Sequence, residues 1–296
     1  MTCERQIHPI RKPVVLGMAF LMLLTLFSGC GRRAVSSKHI STRGRRSGSA
    51  VSRRENITQA PDPTVETTAV PVQTESSPKE PLIYSDTRVP QYVASNPQWE
   101  TMRFEWTCQD GMSSAWVELT VDAQMYRYYH SLERYYGIEN FAKYINDENN
   151  QAVIREVVSA LRDVADDLYY DDSAVAREIA KFVQDCVEYQ YDTDTAGQDE
   201  YPRYPIETLY ERQGDCEDTS ILMAALLKEW GYDVGFLHLP GHVAVAIRTA
   251  DNYDGGAYYE IEGHRYLFIE STGSGWNIGD IPDEFMEMGA EFYPIS

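Results

Sequence analysis

Three residues of this chain have the types and order that acyl-transfer chemistry needs. Cys216 stands in RQGDCEDTSILMAALLKEW (212–230), at the start of an apolar, helix-periodic stretch. At a helix N-terminus a thiol gains the field of the helix dipole, and free backbone N–H groups are at hand for an oxyanion. His242 opens HVAVAI directly after Pro240-Gly241, where it could accept and return a proton. Glu270 closes YLFIE and could orient the imidazole. Asp215, Glu217 and Asp218 crowd the thiol, and their charge alone opposes a thiolate.

The elements that must position these residues can be read in outline. MRFEWTC and AWVELTV alternate around Asp110-Gly111 and predict a hairpin. Helical periodicity runs through 123–136, 150–170 and 173–190, and in the last of these it puts Cys186 on the core stripe as a small buried hydrophobe. Gly214 precedes the cysteine helix, Ile221, Leu222, Ala225, Leu226 and Trp230 form its buried side, and Gly231 stops it. The segments VGFLHL, HVAVAI, AYYEIEG and YLFIEST then read as strands. Helices first, a cysteine helix in the middle and antiparallel strands last predict an α+β domain with that helix packed on the sheet. Ala244 and Ala246 share the face of His242 and would leave room for a helix end to approach, while Glu270 shares the face of Tyr266 and Phe268.

Other residues compete for roles. His238 alternates with Val234 and Phe236 and reads as a packed strand residue, and His264 reads as a hairpin-turn residue. A second oxyanion donor is needed, and Gln190, Tyr191 and Gln213 are the candidates. Trp276 could wall a cleft or pack in the core.

YPIETLYERQGDCEDTSILMAALLKEWGYDV, LPGHVAVAI and YLFIESTGSGWNIGDIP together resemble the transglutaminase-like superfamily of cysteine hydrolases and acyltransferases, over roughly residues 173–282. The resemblance implies a papain/transglutaminase-like core with Cys216 as nucleophile, His242 as base and Glu270 as orienting acid. The superfamily more often carries Asp at the third position, so Glu270 is one methylene longer. The GDCED stretch is similar to bacterial transglutaminase-like cysteine peptidases, in which the acids flanking the cysteine bind calcium. By that resemblance Asp215 and Glu217 are candidate calcium ligands; otherwise no cofactor is expected. The same acids would equally serve as an N-cap and as first-turn complements to the helix dipole, worth ~0.3–1 kcal/mol each. The implied activity is hydrolysis of peptide or amide bonds in surface or secreted proteins through a thioester. Amide-exchange cross-linking and a catalytically silent binding module are the alternatives.

The N-terminus predicts export. Arg5, Arg11 and Lys12 precede an uncharged apolar run over 14–27, too short to span a bilayer. The following FSGC resembles a lipobox, with Phe27 where Leu is usual. That makes 1–29 a lipoprotein signal peptide and Cys30 the lipidated residue. Residues 30–81, first basic and then rich in Pro, Thr and Ser, read as a disordered tether to an anionic membrane surface. Residues 82–296 form one domain with fourteen Lys/Arg against forty Asp/Glu, a formal charge of −26 that disfavours nucleic acid. The expected location is therefore the outer face of the cell membrane. With Cys3 removed and Cys30 acylated, three cysteines remain, so at least one thiol is free; a Cys108–Cys186 bridge would leave Cys216 as that thiol, and the alternatives are three reduced thiols or a paired Cys216 that has lost catalysis.

Overall fold

The computed structural model describes residues 92–250, 255–286 and 288–295, together with the two-residue strands β1 (Val14–Val15) and β2 (Pro71–Val72). β3 (Trp99–Thr107) and β4 (Ser114–Asp122) form the expected antiparallel hairpin, in register Trp106↔Ala115. Asp110 closes its turn by accepting from the N–H groups of Met112 and Ser113 at 2.8 Å. Alternation sends Phe104 and Trp106 inward, where both rings meet Phe182.

The helical half is α1 (Ala123–His130), α2 (Phe141–Ile145), α3 (Glu148–Leu168) and α4 (Asp172–Cys186). The single helix expected over 123–136 stops at His130, and a short 3₁₀ turn leads from Gly137 into α2. Asp122, Asp147 and Asp171 cap α1, α3 and α4 through their carboxylates, which fixes where each begins.

Next come β5 (Glu188–Tyr189), α5 (Asp192–Thr195), α6 (Pro205–Glu211) and β6 (Gln213–Gly214), with β5 and β6 paired in parallel. α7 (Cys216–Trp230) follows and is the centre of the molecule. Its residues from Glu217 to Leu227 are all buried, so it is enclosed all round rather than on one side. Gly231, at φ 116°, ends it in the left-handed region.

β7 (Val234–Leu239), β8 (His242–Arg248), β9 (Tyr258–Ile261), β10 (His264–Ile269) and β11 (Glu291–Pro294) complete the main sheet, in order β11-β7-β8-β10-β9-β2. β7 to β11 pair antiparallel, and β2 adds in parallel at the β9 edge. The α+β class therefore holds. One face, with Val243, Val245, Ile247, Leu267 and Ile269, packs in the core that contains α7. The other, with Ala244, Ala246, Tyr266 and Phe268, forms a second core with Ile281, Ala290 and Phe292. Ala244 and Ala246 thus belong to the far face, and the approach of α7 has another cause, described below.

Cys108 and Cys186 are both free. Cys108 is buried beside Glu178 in the middle of α4, whereas Cys186, at the end of that helix, contacts the Glu105 carbonyl at 3.8 Å. Two helical turns keep them apart, and Cys186 is only half-buried. Among the described residues no helix is long and apolar enough to cross a membrane. The signal peptide, Cys30 and the tether lie outside the described residues.

Candidate active site

The N-terminus of α7 is built around a reciprocal cap. Asp215 is the N-cap and engages the Asp218 N–H, while the Asp218 carboxylate accepts from the Asp215 N–H at 3.3 Å. Gly214 makes this fit: a Cβ there would sit 2.6 Å from that of Asp218. Arg203, itself fully buried, then neutralises Asp218 and Asp192, with Nη1 at 2.5 and 2.6 Å from their oxygens. Its Nε reaches Glu211 at 3.0 Å. Of the three acids around Cys216, one therefore already has a cation of the protein's own.

Asp215 and Glu217 do not. Both are buried, and Asp215 Oδ1 and Glu217 Oε1 find no hydrogen-bond partner. One carboxylate oxygen of each, with the Cys216 sulfur, falls within 4.8 Å of the others. Two acceptor-only oxygens at such range need a shared proton or a cation between them. Burial, then the facing Asp215, push Glu217 up to about 11, so without a cation it holds the proton. The Cys216 thiol points to Glu217 Oε2 at 3.4 Å. Burial first, then the charges of Glu217 and Asp215, push it well above its ordinary value.

On the sheet side, His242 Nε2 lies 3.0 Å from Glu270 Oε2. Glu270 Oε1 accepts from the Thr272 N–H at 2.9 Å and hydroxyl at 2.7 Å, and the Glu270 carbonyl accepts from Gln184 at 2.7 Å. Burial pushes the Glu270 carboxyl up, but bonds from His242 and Thr272 prevail and hold it below the usual range. Phe285 stacks on the imidazole, with centroids 5.0 Å apart and planes 5° from parallel. The Nε2 bond to Glu270 leaves Nδ1 for a second partner. Ser220, on the Cys216 helix, donates to the Val243 carbonyl at 3.0 Å, so the residue after His242 is bonded to the helix that carries the thiol.

The three oxyanion candidates fare differently. The Gln190 amide bonds Glu188 at 2.9 Å on the surface, and Tyr191 is exposed. Gln213 is half-buried opposite Glu188 in the parallel pair. A further neighbour, missed by sequence reasoning, is Tyr189 in β5. Its partner in the strand pair, Gly214, lies two residues before Cys216. Burial and then the charges of Cys216 and Asp215 raise its phenol, so it stays a donor at any working pH.

Other expectations resolve simply. His238 is half-exposed, 3.8 Å from Glu291 across the β7–β11 pair, rather than packed. His264 opens β10 beside the Glu262-Gly263 turn, and Trp276 is buried in packing, its carbonyl held by Lys181. His130, Glu207 and Glu211 also cluster, but Arg134 grips both oxygens of Glu207 at 2.8 Å and leaves no room for a metal there.

A family model described as a transglutaminase-like domain matches residues 159–261, from within α3 through β9, and so includes Cys216 and His242 and ends before Glu270. The match supports the transglutaminase-like superfamily for this core. No curated protein matches the chain.

Proposed function

We propose that this chain is a membrane-anchored, extracytoplasmic cysteine hydrolase that cuts peptide or amide bonds in surface or secreted proteins. The observation that carries the reading is the His242–Glu270 contact at 3.0 Å, at the end of the sheet where Ser220 and Thr219 of the Cys216 helix bond the Val243 carbonyl and Ser271. In this reading His242 Nδ1 takes the Cys216 proton, and the sulfur attacks the scissile carbonyl carbon. The oxyanion forms against the Cys216 N–H, which has no intrahelical acceptor, and the Tyr189 hydroxyl. The imidazolium, held by Glu270, returns the proton to the departing amine, leaving a thioester on Cys216. Water, deprotonated by His242, then releases the acid and the free thiol. An amine in place of water would give cross-linking by the same steps.

Calcium, which the resemblance implies, fits the residues present. Asp215 and Glu217 supply hard oxygen donors, and two of those oxygens are buried without a partner. These two side chains would hold the ion, which would supply the positive charge that a shared proton otherwise provides. The catalytically silent alternative draws on one observation, the strongly raised Cys216 thiol. Lipid attachment at Cys30 and a basic tether would keep the enzyme at the membrane.

A covalent thiol probe on the purified protein tests the reading, with Cys186 as internal reference. Cys216 should react far faster than Cys186 when calcium is present, and Cys216→Ala should abolish cleavage in a surface-proteome screen with little change in Tm. Retained cleavage by Cys216→Ala would refute the nucleophile, and an unreactive Cys216 would favour the silent module.

A further inference from the structure

Beneath the thiol, three buried hydroxyls join the elements that carry Cys216, His242 and Glu270. Thr219 lies one helical turn after Cys216, Ser271 directly follows Glu270, and Val243 directly follows His242. Thr219 Oγ1 is 2.8 Å from Ser271 Oγ, which is 3.0 Å from Ser220 Oγ. Ser220 in turn donates to the Val243 carbonyl at 3.0 Å. Thr219, Ser220 and Ser271 are all at most 1% exposed, so no bulk water competes for these bonds.

Proton counting fixes the direction of the chain. The Ser220 proton goes to Val243, so the Ser271 proton goes to Ser220, and Thr219 donates to Ser271. That assignment fills every contact between elements. Sending the Thr219 proton to the Asp215 carbonyl, 2.9 Å away on its own helix, would leave one Ser271 contact empty. These small hydroxyls, rather than Ala244 and Ala246, are what let the first turn of α7 close on the ends of β8 and β10.

We propose that Ser271 is a positioning residue, whose hydroxyl ties the first turns of α7 to the segment that carries Glu270, the partner of His242, and so sets the thiol against the imidazole. The inference rests on the Cys216–His242 reading above. It predicts that Ser271 acts through His242, which a role in stability alone would not. Alanine is a mild probe, because Thr219 can then donate to the Asp215 carbonyl and no donor is stranded.

The experiment is a double-mutant cycle on the full chain with calcium present, following iodoacetamide labelling of Cys216 by mass spectrometry. Ser271→Ala should slow labelling about tenfold or more when His242 is present, since small misplacements of reacting groups are expensive. In a His242→Ala background the same substitution should change the rate by less than about twofold, because the group it aligns is gone. Ser220→Ala, which cuts the link to Val243, should reproduce the pattern and serves if Ser271→Ala fails to fold. An equal slowing in both backgrounds, or none in either, would overturn the positioning role alone. A wild-type Cys216 no faster than Cys186, and indifferent to His242→Ala, would overturn the nucleophile reading and the positioning role with it.

Discussion

Replacing Glu217 by Gln keeps the shape of the side chain and removes its proton chemistry. In the folded chain burial, then Asp215 and Asp218, push this carboxyl from 4.5 up to about 11. The unfolded chain has the lower value. Below about pH 4.5 both states hold the proton and stability is unaffected. Above it the unfolded state releases a proton that the folded state must keep, so stability falls as pH rises. At pH 7 the excess over 4.5 is about two and a half units, worth about 3 kcal/mol at ~1.4 kcal/mol per unit. Gln carries no such proton, and its amide can donate to Asp215 as the protonated acid does.

In chelator, Glu217→Gln should therefore raise the Tm of the domain by roughly 6–12 °C at pH 7, at ~2–4 °C per kcal/mol for this size. At pH 5 the excess is about half a unit and the gain should shrink below ~1 kcal/mol. Thermal unfolding by circular dichroism at the two pH values measures both. Adding calcium should close the gap, because the ion binds the native wild type and the variant lacks one ligand. No gain at pH 7, or the same gain at pH 5 and pH 7, would show that no proton is held between Asp215 and Glu217, and the account of the acid pair would fail.

Three further outcomes can be checked. Tyr189→Phe should lower kcat about 10²–10³-fold with KM nearly unchanged, as for loss of one oxyanion donor, and equal effects on kcat and 1/KM would place Tyr189 in substrate binding instead. Arg203→Met strands Asp192 and Asp218 in the interior and should destabilise by about 3–5 kcal/mol in urea unfolding at pH 7. That loss should ease as pH falls towards the unfolded aspartate range, because both carboxyls, already raised by burial, can then take up protons in either state. Cys30→Ala should move the protein from membrane to soluble fractions or block its processing, and membrane retention with normal processing would refute the lipid anchor.

What was legible in the sequence was local. Gly214 before the apolar helix, Pro240-Gly241 before His242 and the alternation ending at Glu270 are short-range signals, and each element appears where they place it. The facing of the strands was not legible, because β8 is buried on both sides and a period of two separates the faces without saying which one meets the helix. Tyr189 is one of 21 tyrosines, and only the pairing of β5 with β6 distinguishes it. Arg203 sits in a loop thirteen residues before Cys216, and its bonds to Asp192 and Asp218 are purely tertiary. That omission matters most for the thiol. Counted along the chain, three acids oppose the thiolate of Cys216 together. In the fold, Asp218 is tied to Arg203 and to the cap of the helix, which leaves Asp215 and Glu217 as a facing pair. A pair that must hold either a proton or a cation makes the reactivity of Cys216 depend on which of the two is present. The acids are then part of the control of the nucleophile, and capping describes only Asp215 and Asp218.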